Sequence, residues 1–346
     1  MRDHSEEIEI DGSYLEGGGQ IVRTAIALSA ITRKPVHLHN IRKGRSKPGL
    51  MPQHVEGIAA VTKICRAETE GLHRTSTELS FRQVKISGGK YEVDTKTAGS
   101  VTLIMQILIL VGTHSDQALK LSIRGGTAVP YSPTTEYCQH VLGDYLKKLK
   151  VNFIMETERH GFYPAGGGEV RAVIEPGGPE KINLTTQGAY IATDVLSIAS
   201  LHLKEARVAE RLINGFEMIN PKAHFKYRYV DALSAGCFIR SHAHFENARL
   251  GADALGKPGK RAEEVGREAA LALNKEIESG ATVDTWMVDQ IIPYMALAAA
   301  STRQKSSVRV STGGLSQHAK TNVWVVEKFL DVNFNIDENI LSCDVK

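Results

Sequence analysis

The sequence lacks several common signatures, and each absence removes a class of protein. Its four cysteines, Cys65, Cys138, Cys237 and Cys343, are widely separated and never form a C-x-x-C pair. That argues against a zinc ribbon or a dithiol redox site and fits a reducing compartment. The stretch Met1 to Asp11 is acidic and polar, without the apolar core of a secretion signal. The longest apolar run, Val101 to Gly112, is interrupted by Thr102 and Gln106 and falls short of the ~20 residues that a membrane-spanning helix needs. A soluble, cytoplasmic protein with no membrane association is the expectation. Acidic residues are missing from Gly17 to Val55, where Arg23, Arg33, Lys34, Arg42, Lys43, Arg45 and Lys47 all fall. The net charge is only +3, so it is this local excess that suits a polyanionic ligand. The glycines at 17–19 match neither G-x-G-x-x-G nor G-x-x-x-x-G-K-[ST], which disfavours ordinary Rossmann or P-loop binding.

What is present repeats. Hydrophobic and charged contents of 42% and 23% allow a sizeable globular core. A helix from about Ile21 to Ile31 leads to an alternating strand, Val36 to Ile41, a basic turn and a second helix, Pro52 to Cys65. The order recurs as helix Ser100 to Val111, strand Leu119 to Ile123, turn Arg124-Gly-Gly-Thr127 and a helix from Ser132 to about Leu149. It recurs again as helix Val288 to Ala300, strand Ser307 to Val310, turn Thr312-Gly-Gly314 and a helix just after His318. The second gap between strands exceeds the first by roughly 100 residues, about one small domain. The expected insert spans residues 183–278, entered after the breaker run Glu175-Pro-Gly-Gly-Pro179, within a host of residues 1–182 and 279–346. The insert is expected to hold strands at Gly188–Asp194 and Gly236–Arg240 and helices at Ala206–Ile213 and Ala262–Glu278. Between them lies a Gly/Ala-rich charged segment, Gly251–Arg261. Strands alternating with helices imply an α/β fold with helices packed on small sheets.

Five stretches carry candidate chemistry. Glu16-Gly-Gly-Gly-Gln20-Ile-Val-Arg23 combines a carboxylate, a close-approaching backbone and a guanidinium, which a triphosphate with a divalent cation requires. Gln53-His54 and Gln317-His318 open helices at corresponding places in two repeats. Either neutral imidazole could form a phosphoramidate, or His54 could donate to phosphate beside Arg42, Arg45 and Lys47. Spacing leaves both roles open. Trp286, Asp289 and Gln290 start an apolar helix and could stack on a base and bond its edge or ribose, or could be an ordinary helix start. His242 and His244 share one strand face, but no third metal ligand is evident, and a surface strand is the simpler reading.

Together, Glu16–Arg23, Asn40–Arg45 through Lys47–His54, Arg124–Thr127, Gly266-Arg-Glu-Ala269, Asp289-Gln290 and His318-Ala-Lys-Thr-Asn322 resemble the RNA 3'-terminal phosphate cyclases across nearly the whole chain. The resemblance implies an α+β sandwich of three βαβαββ-like repeats, with a smaller α/β insert in the third. It implies a ligase that uses ATP and a divalent metal, Mg or Mn, to convert an RNA 3'-phosphate end into a 2',3'-cyclic phosphate. By the same resemblance, His318 is the nucleophile that becomes adenylylated and Glu16 the metal ligand. Gln20, Arg23 and Gln53 lie at the nucleotide and its phosphates, and Gln106, Asp289 and Gln290 near its base and ribose. Trp286, where the family commonly has Tyr, stacks on adenine with Pro133 on the other face. Arg42, Arg45 and His54 hold the RNA-end phosphate. A silent branch of the family lacks the histidine that this chain has. A homo-oligomer is left open, and a small-molecule transferase of the enolpyruvyl kind is the rival on a related architecture.

Overall fold

The computed structural model describes residues 7–346. Three four-stranded sheets share one pattern: an opening strand, a parallel neighbour reached through a helix, then two antiparallel strands. In spatial order the first holds Ile8–Asp11, Val36–His39, Leu79–Arg82 and Glu68–Glu70. The second holds Gly89–Asp94, Leu119–Gly125, Gly168–Ile174 and Phe153–Arg159. The third holds Asn183–Leu184, Ser306–Arg309, Ile340–Val345 and Val332–Asp337. Asn183 and Leu184 therefore pair with the host strand rather than with the expected insert. The mixed α/β class expected from the sequence is the class observed.

Against these sheets pack helices Gly19–Thr32, Pro52–Cys65, Val101–Gly112, Thr285–Thr302 and Gln317–Phe329. Their sequences explain why. Gly19–Thr32 and Thr285–Thr302 are rich in Ala, Ile and Leu and bury most of their residues, so they serve as central rods rather than as amphipathic covers. The Ser316 hydroxyl accepts from Ala319 N–H and Asp284 accepts from Trp286 and Met287 N–H, setting two of the starts. Because Ser316 is the cap, His318 lies inside the first helical turn rather than ahead of the helix.

The fourth sheet has the order His224–Val230, Tyr190–Ser200, Cys237–Phe245, Arg249–Leu255. Its last strand occupies half of the segment read as a charged connector; paired to Cys237–Phe245, the small residues Gly251 and Ala252 are buried. Helices Val208–Glu217 and Ala262–Glu278 cover one face of this sheet with their own apolar cluster. A Cβ on Gly266 would stand 1.9 Å from Leu212 O. Gly266 and Ala269 of that motif thus make a close helix contact in this core, while Arg267 and Glu268 between them are exposed. His242 is buried and His244 partly buried, which overturns their reading as a surface strand. All four cysteines are free and buried. No described helix is long and apolar enough to cross a membrane.

Candidate active site

The starts of helices Gly19–Thr32, Pro52–Cys65 and Gln317–Phe329 converge, and free backbone N–H groups there favour an anion. Gly19 is what lets them meet. A Cβ at this position would lie 2.2 Å from His54 Nε2, so the ring can occupy the space only because residue 19 has no side chain. The glycine run is in part a packing device.

A chain of contacts then joins residues far apart in sequence. His318 Nδ1 meets Gln20 Oε1 at 2.5 Å, and Gln20 Nε2 donates to Asp289 at 3.2 Å. Asn322 Nδ2 donates to the Asp289 carbonyl and Thr24 Oγ1 donates to Asn322 at 2.7 Å. Since Gln20 gives its N–H to a carboxylate, its carbonyl faces the ring and accepts the proton on Nδ1. Nε2 then carries the lone pair. It stands 3.1 Å from Glu16 Oε1, which also receives Arg45 Nη2 at 2.8 Å. A neutral ring nitrogen facing a carboxylate oxygen is repulsive. The pair is comfortable only when the ring is protonated or when an electron-poor centre comes between them.

Burial draws the His318 pKa below the ordinary histidine value; Glu16 opposes this, while Arg23 and Arg45 add to it. The ring is therefore neutral at neutral pH. Burial also pushes Asp289 up to about 7, against the attraction of Arg23, and brings Arg23 down to about 10, so Arg23 stays charged. Arg23 Nε donates to Gln106 Oε1 at 3.1 Å. His54 is held at about 3 by burial, then by Arg23 and Arg42, and its Nδ1 accepts from Met51 N–H at 3.1 Å. With Nδ1 engaged, the proton of neutral His54 sits on Nε2, where it is a donor and no nucleophile.

A family model for the RNA 3'-terminal phosphate cyclases matches residues 14–336. The chain belongs to the RNA 3'-terminal phosphate cyclase family. Relatives carrying that name include proteins of Methanosarcina barkeri, 40% identical over 96% of this chain and 97% of theirs, and Methanopyrus kandleri, 41% over 95% of each. A third, from Pyrococcus abyssi, is 39% identical over 96% of each chain.

In this cyclase-family chain Gln20, Arg23, Gln106, Asp289 and Gln290 line one cleft beside His318, together with Tyr294 and Asn322. Its cavity volume is about 30 Å³, room for a water. Gln290 keeps a buried, unpartnered Oε1 there, and Trp286, one turn earlier, is 63% exposed. The remaining expected residues do not line this cleft. Gln53 packs by Gly99, Pro133 accepts from Thr102, and Arg42 donates to the carbonyls of Lys47 and Gly49. Sequence reasoning quoted Asn322 without giving it a task. Its spacing of four from His318 on one helix face was the available signal.

Proposed function

We propose that the chain is an ATP-dependent RNA 3'-phosphate cyclase working through His318. The observation that carries this reading is the His318–Gln20–Asp289 chain, which fixes one tautomer and turns Nε2 toward the Glu16 carboxylate that also holds Arg45. His318 Nε2 attacks the α-phosphate of ATP, forming a P–N bond as pyrophosphate leaves. Positive charge grows on the ring, and Gln20 Oε1 stabilises it through the Nδ1 proton. The charged Arg23 and Arg45 receive phosphate oxygens. Glu16 releases the ring and Arg45 as the triphosphate enters. Glu16 suits a divalent cation: one carboxylate with the other positions left to phosphate oxygens and water is a common Mg²⁺ pattern. Such an ion would supply charge neutralisation on the triphosphate.

The RNA 3'-phosphate then takes the adenylyl group, breaking the P–N bond and forming an anhydride. The neighbouring 2'-OH attacks the terminal phosphorus, closing the ring and expelling AMP. Adenylylation replaces a poor leaving group with a good one, and proximity supplies much of the rate. Only RNA carries the attacking hydroxyl. His54 Nε2–H, Arg42, Arg45 and the helix N-termini are the groups proposed to orient the RNA end, with Gln53 at the nucleotide phosphates. Trp286 and Pro133 are proposed to flank the base.

The test uses two oligonucleotides ending in 3'-phosphate, one with a terminal ribose and one with 2'-deoxyribose. With ATP and Mg²⁺ the first should become resistant to phosphatase with AMP released, whereas the second, lacking the 2'-OH, should stop at the adenylate and keep its AMP. AMP retained on both ends, or resistance of neither, would remove cyclisation as the activity.

A further inference from the structure

A second cluster lies on the face of the fourth sheet that its two helices leave uncovered. Side chains alternate along a strand, so His242 and His244 project to the same side of Cys237–Phe245. The antiparallel register sets Asp194 of the neighbouring strand opposite His242. Asp194 Oδ2 lies 2.8 Å from His244 Nε2 and 3.7 Å from His242 Nε2, and one ligand atom from each residue falls within 4.8 Å of the others. Nitrogen and oxygen ligands around a tetrahedral ion at roughly 2.0–2.2 Å stand about 3.4 Å apart. These separations bracket that value.

His244 Nε2 is buried, and its close contact with Asp194 is off the line of a well-aligned hydrogen bond. His224, exposed on the edge strand, brings Nδ1 to 3.2 Å from the second Asp194 oxygen. His140 stacks on His242 with ring centroids 5.6 Å apart.

We propose that Asp194, His242 and His244 form a site for a divalent transition-metal ion of the Zn²⁺ class, completed by His224 or water. Two imidazoles and one carboxylate are ligands that suit such an ion. The exposed Asp194 and His224 give it a path in from solvent. Bound there, the ion clamps the two central strands at the end of the sheet that meets His140.

The arginines oppose it. Arg249 Nη2 lies 3.0 Å from His244 Nδ1, and Arg240 contacts His242 Nδ1. Coordination through Nε2 moves each ring proton to Nδ1, so both guanidiniums must turn away. Asp144, 3.7 Å from Arg249, is available to one, and the attraction of Glu136 and Asp253 to the other. Neutralising Arg249 should therefore tighten binding, a response that a purely structural imidazole cluster would not give.

The probe is Co²⁺, titrated into the chelator-stripped full chain and followed by visible absorption, with Zn²⁺ as competitor. One equivalent should bind and be displaced by Zn²⁺. Affinity should fall at least about tenfold in Asp194→Asn and in His244→Ala and rise several-fold in Arg249→Gln. Asp194 is half-exposed, so its variant reports even if the buried positions do not tolerate change. The proposal is overturned if the wild type gives no Co²⁺ band or if Asp194→Asn binds as the wild type does. It is equally overturned if Glu16→Gln, rather than the insert variants, abolishes the band, since the ion would then sit beside His318.

Discussion

Helices Pro52–Cys65 and Gln317–Phe329 both start with a Gln-His pair, yet they seal one imidazole and present the other. His54, third in its helix, reaches back to its own backbone: Met51 N–H occupies Nδ1 and the ring is 5% exposed. His318, second in its helix, reaches across to another chain segment. Gln20 takes its Nδ1 proton, and the side chain stays 39% exposed. A backbone donor on one ring and a side-chain acceptor on the other yield opposite tautomers from the same residue pair. A one-residue difference in position accompanies a difference in chemistry that the residue types do not carry.

The largest effect that could break the comparison is on covalent labelling by ATP carrying a labelled α-phosphate. His318→Ala should lose the acid-labile adduct by about a thousandfold or more, whereas His54→Ala should keep it within roughly a hundredfold. An adduct persisting in His318→Ala would exchange the two roles. Next in size is the residue that sets the tautomer. Gln20→Leu removes the acceptor at Nδ1 while keeping bulk, and the labelling rate should fall about a hundredfold, because the ring no longer favours a free Nε2. A merely structural glutamine would instead lower thermal stability and leave the labelling rate per folded molecule intact.

A smaller effect should appear in stability. Gly19→Ala places a methyl 2.2 Å from His54 Nε2, and the displaced ring should cost about 2–3 kcal/mol. In the background of His54→Ala the same substitution should cost much less, a coupling measurable by denaturant titration. Additive losses would mean that the two positions do not share the space.

The architecture was legible because helix and strand periods differ and because the run of elements occurs more than once. The Gly/Ala-rich strand Arg249–Leu255 was not, since small residues give no apolar alternation until Cys237–Phe245 supplies the pairing. Motif residues were legible as a set but not as roles. Gly266 was one of the stretches carrying the family resemblance, and its part is a helix contact. Asp194 was invisible as a partner of His242 because its contribution depends on register between strands almost 50 residues apart. The two histidines were indistinguishable for the same reason: a tautomer is set by the neighbour in space.

The smallest effect concerns pH and isolates His54. Its folded pKa of about 3 lies below its ordinary value of 6.5, through burial and then the charges of Arg23 and Arg42. Below 6.5 the unfolded chain binds a proton that the folded chain refuses. Stability present in full above that pH is therefore eroded as pH falls through 6.5 toward 3. Asp289 has the opposite sign: raised from 3.8 to about 7, its carboxyl is protonated first in the folded chain, which favours folding as pH falls through 7. That contribution is common to wild type and His54→Gln, so it cancels in their difference. Between pH 6 and 4 the wild type should lose about 1.4 kcal/mol more per pH unit than His54→Gln. Denaturant midpoints at three pH values measure this difference in slope. Parallel slopes would mean that His54 protonates in the folded chain as readily as in the unfolded one, and so is not sealed.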